Sequence, residues 1–216
     1  FWAWNVLPDI FRIRLDVLRR CSRWKNKGVL FIHVPKAAGY SISLALYGRA
    51  LGHFYAKDIQ KLRPDLFGSL YTFGVVRHPV DRLYSAYRFA RSGGTAVMGM
   101  KNPALYKIDA FSSFEGFVRE WLVEQDLTKI DGVFRPQHLY LCDGDEVLVD
   151  KVFKLEEIGL LEKKLSDVLD RNILLEHHNR SKVEATEIMS DATIKIIEGL
   201  YKKDFEIFDY KLECKP

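Results

Sequence analysis

The sequence is short of cysteine. It has three in 216 residues, at positions 21, 142 and 214, with no two close together. That excludes a disulfide framework and any C-x-x-C metal knuckle, and no H-E-x-x-H stretch offers a zinc site instead. Three dispersed thiols read as reduced structural residues, which favours a cytoplasmic protein, with one disulfide between two of them left open. No stretch approaches the roughly 20 apolar residues of a membrane span. Charge of one sign is lacking too. With 33 Lys and Arg against 29 Asp and Glu, the net charge is only +4, which suits an anionic ligand or an acidic glycan and does not demand nucleic acid. There is no internal repeat, no low-complexity linker and no metal-ligand cluster. What remains, at 48% hydrophobic and 29% charged residues, is the composition of an ordinary globular domain.

The opening residues 1–28 form a segment of their own, with FWAWNVLPDIFRIRLDVLRRCSRWKNK mixing aromatics, basic residues and an apolar stripe of Phe11, Leu15 and Leu18. Such a segment can lie on an anionic membrane surface. The favoured alternative is a terminal helix that packs its apolar side on the domain. Residues 29–216 read as a single domain in which strands and helices alternate, the pattern of an α/β fold with a parallel sheet covered on both faces by helices. Helices are predicted over 41–49, 56–62, 80–91, 158–169 and 191–203, and helical spacing continues over 114–124. Strands are predicted over 29–34 and 71–76, and over 147–155 with a break near Asp150. The Gly-containing stretch 92–110 reads as a loop facing substrate.

Two strand-to-helix corners stand out. In FIHVPKAAGYSIS (31–43), an apolar strand runs into Pro35, Lys36, two alanines and Gly39, with Ser41 placed to cap the helix that follows. Backbone N–H groups there converge on an anion and Lys36 adds a point charge. In VVRHPVDRLYSAY (75–87), Arg77 sits at the end of the second strand, Pro79 opens a helix, and Arg82 and Ser85 follow on it. Arg77 can grip an anion bidentately and Ser85 can add a hydroxyl, whereas Arg82 reads as a structural ion pair. Two such corners suggest a ligand with two separated phosphate-like groups.

PKAAGYS resembles the 5′-phosphosulfate loop of the PAPS-dependent sulfotransferases, and RHPVDRLYSAY resembles their 3′-phosphate motif. The segments FRPQHLYL, DKVFKLEEI and LYKKDFEIFDY are similar to later parts of the carbohydrate branch, so the resemblance covers most of 29–210. It implies a P-loop-like three-layer α/β fold and sulfuryl transfer from PAPS, without a metal, to a carbohydrate hydroxyl. It further implies that Lys36, Ala37, Ala38, Gly39, Tyr40 and Ser41 hold the 5′ end, and that Arg77 and Ser85 hold the 3′-phosphate. Tyr40 stands where the family usually has Thr, which leaves Ser41 to supply the hydroxyl. The R-K-G…G-D-W-K ending of the phenol and steroid enzymes is missing. HHNRSK occupies the comparable region, offering Arg180 and Ser181 as further cofactor-side contacts and shifting the acceptor toward a sugar. A Golgi-type enzyme would need an anchor ahead of Phe1, so the lumen is the second compartment to consider.

Acceptor activation needs a base, and six histidines compete. His53, in LGHFYAKDI, matches where related glycan enzymes place a catalytic histidine, with a structural role the equal alternative. His33, inside the apolar strand, reads as a core or loop-supporting residue. His138 and Glu156 are the other candidates. Two rival functions share the anion corners. A P-loop kinase would need lysine after the glycine run and a Walker-B aspartate, and neither pattern is present. A non-catalytic nucleotide- or anion-binding module would keep the corners and show no turnover.

Overall fold

The computed structural model describes residues 9–95, 98–100, 102–175 and 189–211. Along the chain, α1 (Asp9–Lys27) leads into β1 (Val29–Ile32), then α2 (Gly39–Tyr47), α3 (Ala56–Leu62) and α4 (Pro64–Ser69). Strand β2 (Tyr71–Val76) and helix α5 (Pro79–Arg91) follow, and then α6 (Phe114–Gly116), which continues into a π-helical turn over Phe117–Trp121. Helix α7 (His138–Leu141) precedes a two-stranded hairpin, β3 (Cys142–Asp143) with β4 (Glu146–Val147). Strand β5 (Lys151–Lys154) and helices α8 (Ile158–Leu169), α9 (Asp191–Leu200) and α10 (Lys202–Ile207) complete the order. The residues fall into two compact units, one within 1–76 and 137–178, the other within 77–136 and 179–216.

The first unit is built on a parallel sheet in the order β1-β2-β5. Phe31 lies opposite Phe73, and Val75 opposite Phe153. All four residues of β1 and five of the six in β2 are buried, because α1, α4 and α8 pack on the sheet. This is the parallel α/β arrangement expected of a P-loop-like fold. At Gly74 of β2 a Cβ would come within 2.3 Å of the Leu141 side chain, so the close approach of α7 requires glycine. Asp150 explains the break in the last strand region: its carboxylate accepts from the Thr72 N–H at 2.7 Å and hydroxyl at 2.9 Å, and its own N–H returns a bond to that hydroxyl. The chain is pinned there just before β5 begins.

Helix α1 buries Val17, Cys21 and Trp24, residues spaced i, i+4 and i+7 on one helical face. The stripe expected from the sequence is not that face, since Leu15 and Leu18 are 38% and 50% exposed. The helix therefore does pack on its unit, through a different side. Among the described residues no helix is long and apolar enough to cross a membrane. Cys21 and Cys142 are buried and neither is in a disulfide, and burial raises the Cys21 thiol above its usual pKa. Cys214 lies outside the described residues.

The second unit is organised by an aromatic core of Tyr87, Phe111, Phe114, Phe117, Trp121 and Phe134, with Tyr201 and Phe205 contributed by the end of the chain. Ring centroids within this core lie 5.0–6.0 Å apart in tilted, stacked and edge arrangements, the separations at which aromatic pairs attract. Arg82 is wholly buried here. Its guanidinium donates to the carbonyls of Val133 at 3.1 Å and Arg135 at 2.8 Å and lies over the Tyr201 ring. Two of its anchors are thus backbone carbonyls of the same unit. Met100 and Tyr106 are buried in the same core, while Leu105 and Ile108 remain exposed.

Candidate active site

The first corner is made where β1 ends. His33, Val34 and Pro35 are buried, and the backbone then enters the left-handed region at Lys36 (φ 67°) and again at Ala38 (φ 57°). Non-glycine residues adopt this conformation at a cost, and two in three positions mark a loop whose shape is held by its surroundings. A left-handed residue beside a right-handed one can turn successive N–H groups to one side, the geometry of a concavity suited to an anion. Ser41 is not the cap that the sequence suggests. Helix α2 begins at Gly39, and its N-cap is Ala38, which offers no side-chain acceptor. The first intrahelical bond runs from the Ile42 N–H to the Ala38 carbonyl at 3.3 Å. The amides of Gly39, Tyr40 and Ser41 thus precede the helical ladder at the positive end of a nine-residue helix. Lys36, Ala38, Tyr40 and Ser41 are half-buried, with Ala37 and Gly39 buried between them.

Tyr47, at the far end of α2, holds this helix to the outer edge of β1. Its hydroxyl accepts from the Phe31 N–H at 3.0 Å and donates to the Val29 carbonyl at 3.1 Å. Burial pushes its pKa far above the ordinary tyrosine value, so it acts only as a neutral hydroxyl. Sequence reasoning passed over it. The available signal was a tyrosine closing the helix beside an edge strand whose N–H and C=O groups need partners.

His53 is held from the chain after α2. Its Nδ1 lies 3.0 Å from the His33 carbonyl, and its ring centroid lies 4.1 Å from that of His33. A carbonyl can only accept, so Nδ1 carries the proton and Nε2, on the opposite edge, keeps its lone pair. The residue remains solvent-exposed overall. Protein packed on its inner side lowers its pKa, and the hydrogen bond to His33 opposes that in part. The neutral ring with a lone pair on Nε2 is the form that a proton acceptor requires. His33 is 5% exposed, and burial, followed by the charge of a protonated His53, depresses its pKa well below the usual range.

The second corner lies in the other unit. Arg77 follows β2 directly, and α5 begins two residues later with Pro79 at its start. His78 is packed edge-on against Phe205 and Tyr210, and its Nε2–H donates to the Lys211 carbonyl at 3.1 Å, so it is a structural residue. Helix α5 buries Val80, Leu83, Ala86, Tyr87 and Ala90, leaving Asp81, Ser85 and Arg88 half-buried on the remaining face. Ser85 stands about 9 Å along the axis from Pro79. His138 is half-buried in α7, and Glu156 is exposed in a short turn before α8. Arg180 and Ser181 lie outside the described residues. An open cavity of about 520 Å³, lined by Lys57, Asp58, Gln60, Lys61 and Asp143, contains none of the predicted donor-site residues. Among the described residues no group of three or more His, Cys, Asp or Glu could hold a metal ion.

A family model for the sulfotransferase family matches residues 23–211. The chain belongs to the sulfotransferase family. No curated protein and no solved structure matches it. The match spans both corners and most of the described chain, so this sulfotransferase is an enzyme of sulfuryl transfer. The kinase and the non-catalytic module give way to that reading.

Proposed function

We propose that this sulfotransferase transfers the sulfuryl group of PAPS to a hydroxyl of a carbohydrate. The observation that carries the reading is the loop over 36–41, where two left-handed non-glycine residues and a helix start without a side-chain cap present N–H groups beside a lysine. That is the donor set suited to a phosphosulfate. PAPS, when bound, supplies a sulfuryl group whose bridging oxygen can depart with the 5′-phosphate. Lys36 and the amides of Gly39, Tyr40 and Ser41 stabilise the negative charge that gathers on that oxygen, with Ala37 and Ala38 shaping the loop. Arg77 and Ser85 take the 3′-phosphate, and Arg180 and Ser181 add contacts on the cofactor side. His53 is the base: its Nε2 takes the proton of the attacking hydroxyl as the new O–S bond forms and the old one breaks.

The carbohydrate acceptor is supported by the resemblance of FRPQHLYL, DKVFKLEEI and LYKKDFEIFDY to the glycan-directed branch. A sugar hydroxyl is far less acidic than a phenol, so it also depends more on a well-held base such as His53. The test is transfer of sulfur-35 from labelled PAPS across a panel of glycans and phenols without added metal, together with thermal shifts in PAP and in Mg-ATP. Label on a glycan and stabilisation by PAP are expected. Label confined to phenols would overturn the acceptor assignment, and equal stabilisation by Mg-ATP would overturn the donor assignment.

A further inference from the structure

The His33 ring has an environment that the transfer mechanism does not yet use. On one side it stacks with Phe31, at 5.7 Å between centroids and 19° between planes. On another it meets the His53 ring at 4.1 Å. Its Cδ2–Nε2 edge faces Gly39 so closely that a Cβ built there would fall 1.8 Å from Cδ2 and 2.0 Å from Nε2. Its Nδ1 is buried with no hydrogen-bond partner. An apolar side chain of similar size would fill the space without leaving a buried polar atom unsatisfied, and such atoms call for an explanation beyond packing.

We propose that His33 is a positioning residue whose ring, wedged between the anion loop at Gly39 and the ring of His53, makes the loop's backbone set the position of the base. The inference rests on the reading of His53 as that base. Two attachments hold His53, and they do different things. The His33 carbonyl fixes the proton on Nδ1, but a single hydrogen bond leaves the imidazole free to pivot about it. The His33 ring supplies the wall that stops the pivot. Because the ring touches Gly39 on its other edge, a shift of the loop by a few tenths of an ångström moves the wall, and the base moves with it. Interiors packed this tightly transmit such displacements. Gly39 lies outside the left-handed region that calls for glycine, so its lack of a side chain serves this contact.

The experiment has a spectroscopic arm and a kinetic arm. Histidine side-chain 15N spectra of the wild-type protein without ligand, at slightly alkaline pH, should show His53 as a single Nδ1–H tautomer. In His33→Ala, the His53 signals should become those of mixed tautomers or an exchanging ring. Should His33→Ala not fold, His33→Leu keeps the volume, lacks the flat wall and gives the same reading. Turnover at saturating PAPS should fall on the order of tenfold in these variants, with the apparent constant for PAPS changing less than about threefold. Gly39→Ala should also cut turnover, since its methyl drives into the His33 ring. Combining Gly39→Ala with His33→Ala should cost less than the two single losses together, because the second change makes room for the first. An unchanged His53 spectrum in the His33 variants, or strictly additive losses in the double variant, overturns the inference. Mixed His53 tautomers in an enzyme whose His53→Ala variant stays fully active would support the wedge and remove His53 from the chemistry.

Discussion

Lowering the pH should silence this enzyme along a course set by His53. As the proposed base, His53 works only as the neutral ring, and burial lowers its pKa below the free histidine value, which is about 6.5. Turnover should therefore be flat from neutral to mildly alkaline pH and should bend downward only below about 6.5, then lose roughly tenfold for each further unit. The bend lies on the acid side because burial favours the neutral form. A ring that gained a carboxylate partner would bend on the other side. Removing the base altogether, in His53→Ala, should cost on the order of 10²–10⁴ in turnover, the range general-base catalysis contributes. It should leave the affinity for PAP near normal, since the ring is assigned to the acceptor. The assay is the initial rate of sulfur-35 transfer to a glycan at saturating donor and acceptor, between about pH 5 and 8, so that the inflection reports the complex with both substrates bound. An inflection clearly above the free histidine value, or glycan sulfation retained in His53→Ala, would refute the assignment and bring Glu156 or His138 forward. Loss of PAP binding together with activity would mark His53 as structural.

Lys36→Ala should reduce turnover about 10²-fold or more at saturating PAPS by removing a charge beside the leaving oxygen, and single-turnover rates decide it. Arg77→Ala and Ser85→Ala should chiefly raise the apparent constant for PAPS, because the group they grip is remote from sulfur; a fall in turnover alone would contradict their placement. Tyr47→Phe would strand the Phe31 N–H and the Val29 carbonyl, both on buried residues, at a cost of about 2–4 kcal/mol. For a chain of this size that lowers the melting temperature by on the order of 5–10 °C; a calorimetric shift near zero would show the bonds to be dispensable. His33 titrates well below its ordinary range, so the unfolded chain binds the proton first as pH falls. Its share of stability is complete above about 6.5 and is lost as pH drops from there toward the folded value, and His33→Leu should flatten the dependence of melting temperature on pH in that window.

The parts of the fold that the sequence announced are those where a local signal and a tertiary demand agree. The apolar runs of β1 and β2, Pro79 at the start of α5, and the periodicity of α8 each needed nothing distant to be read correctly. Helix α4 and the hairpin β3–β4 were missed, although Pro64 at a helix start and the Gly144-Asp145 turn, with Gly144 at φ 60°, were available local signals. In α1 the error has a different source. Phe11, Leu15 and Leu18 have good helical spacing, but so do Val17, Cys21 and Trp24, and only packing against β1 and its neighbours decides which face is buried. Periodicity identifies a helix; it does not choose between two stripes on the same helix.

The site shows the same division more sharply. The tight turn after β1 was legible because Pro, Lys and Gly after a buried strand constrain the backbone over a few residues. Its finer logic was not, and the displaced cap shows why. Ser41 looks like a cap because serine prefers that position, yet the cap falls three residues earlier, at Ala38, after the left-handed turns at Lys36 and Ala38. A serine cap would have used its side chain to satisfy one of the first amides. Placing Ala38 there leaves those amides without a side-chain cap, so a rule of helix stability is broken at the position where the proposed donor binding would benefit from the breach. The partnership of His33 with His53 spans 20 residues and was hidden for a related reason. Each histidine alone has an ordinary explanation, one as a core residue and one as a loop residue. Only the return of the chain after α2 puts one imidazole against the other, and only the absence of a side chain at Gly39 lets the loop press on the pair. The arrangement proposed for the base thus rests on three residues that no motif joins: one would supply the lone pair, one the carbonyl and the wall, and one the space that lets them meet.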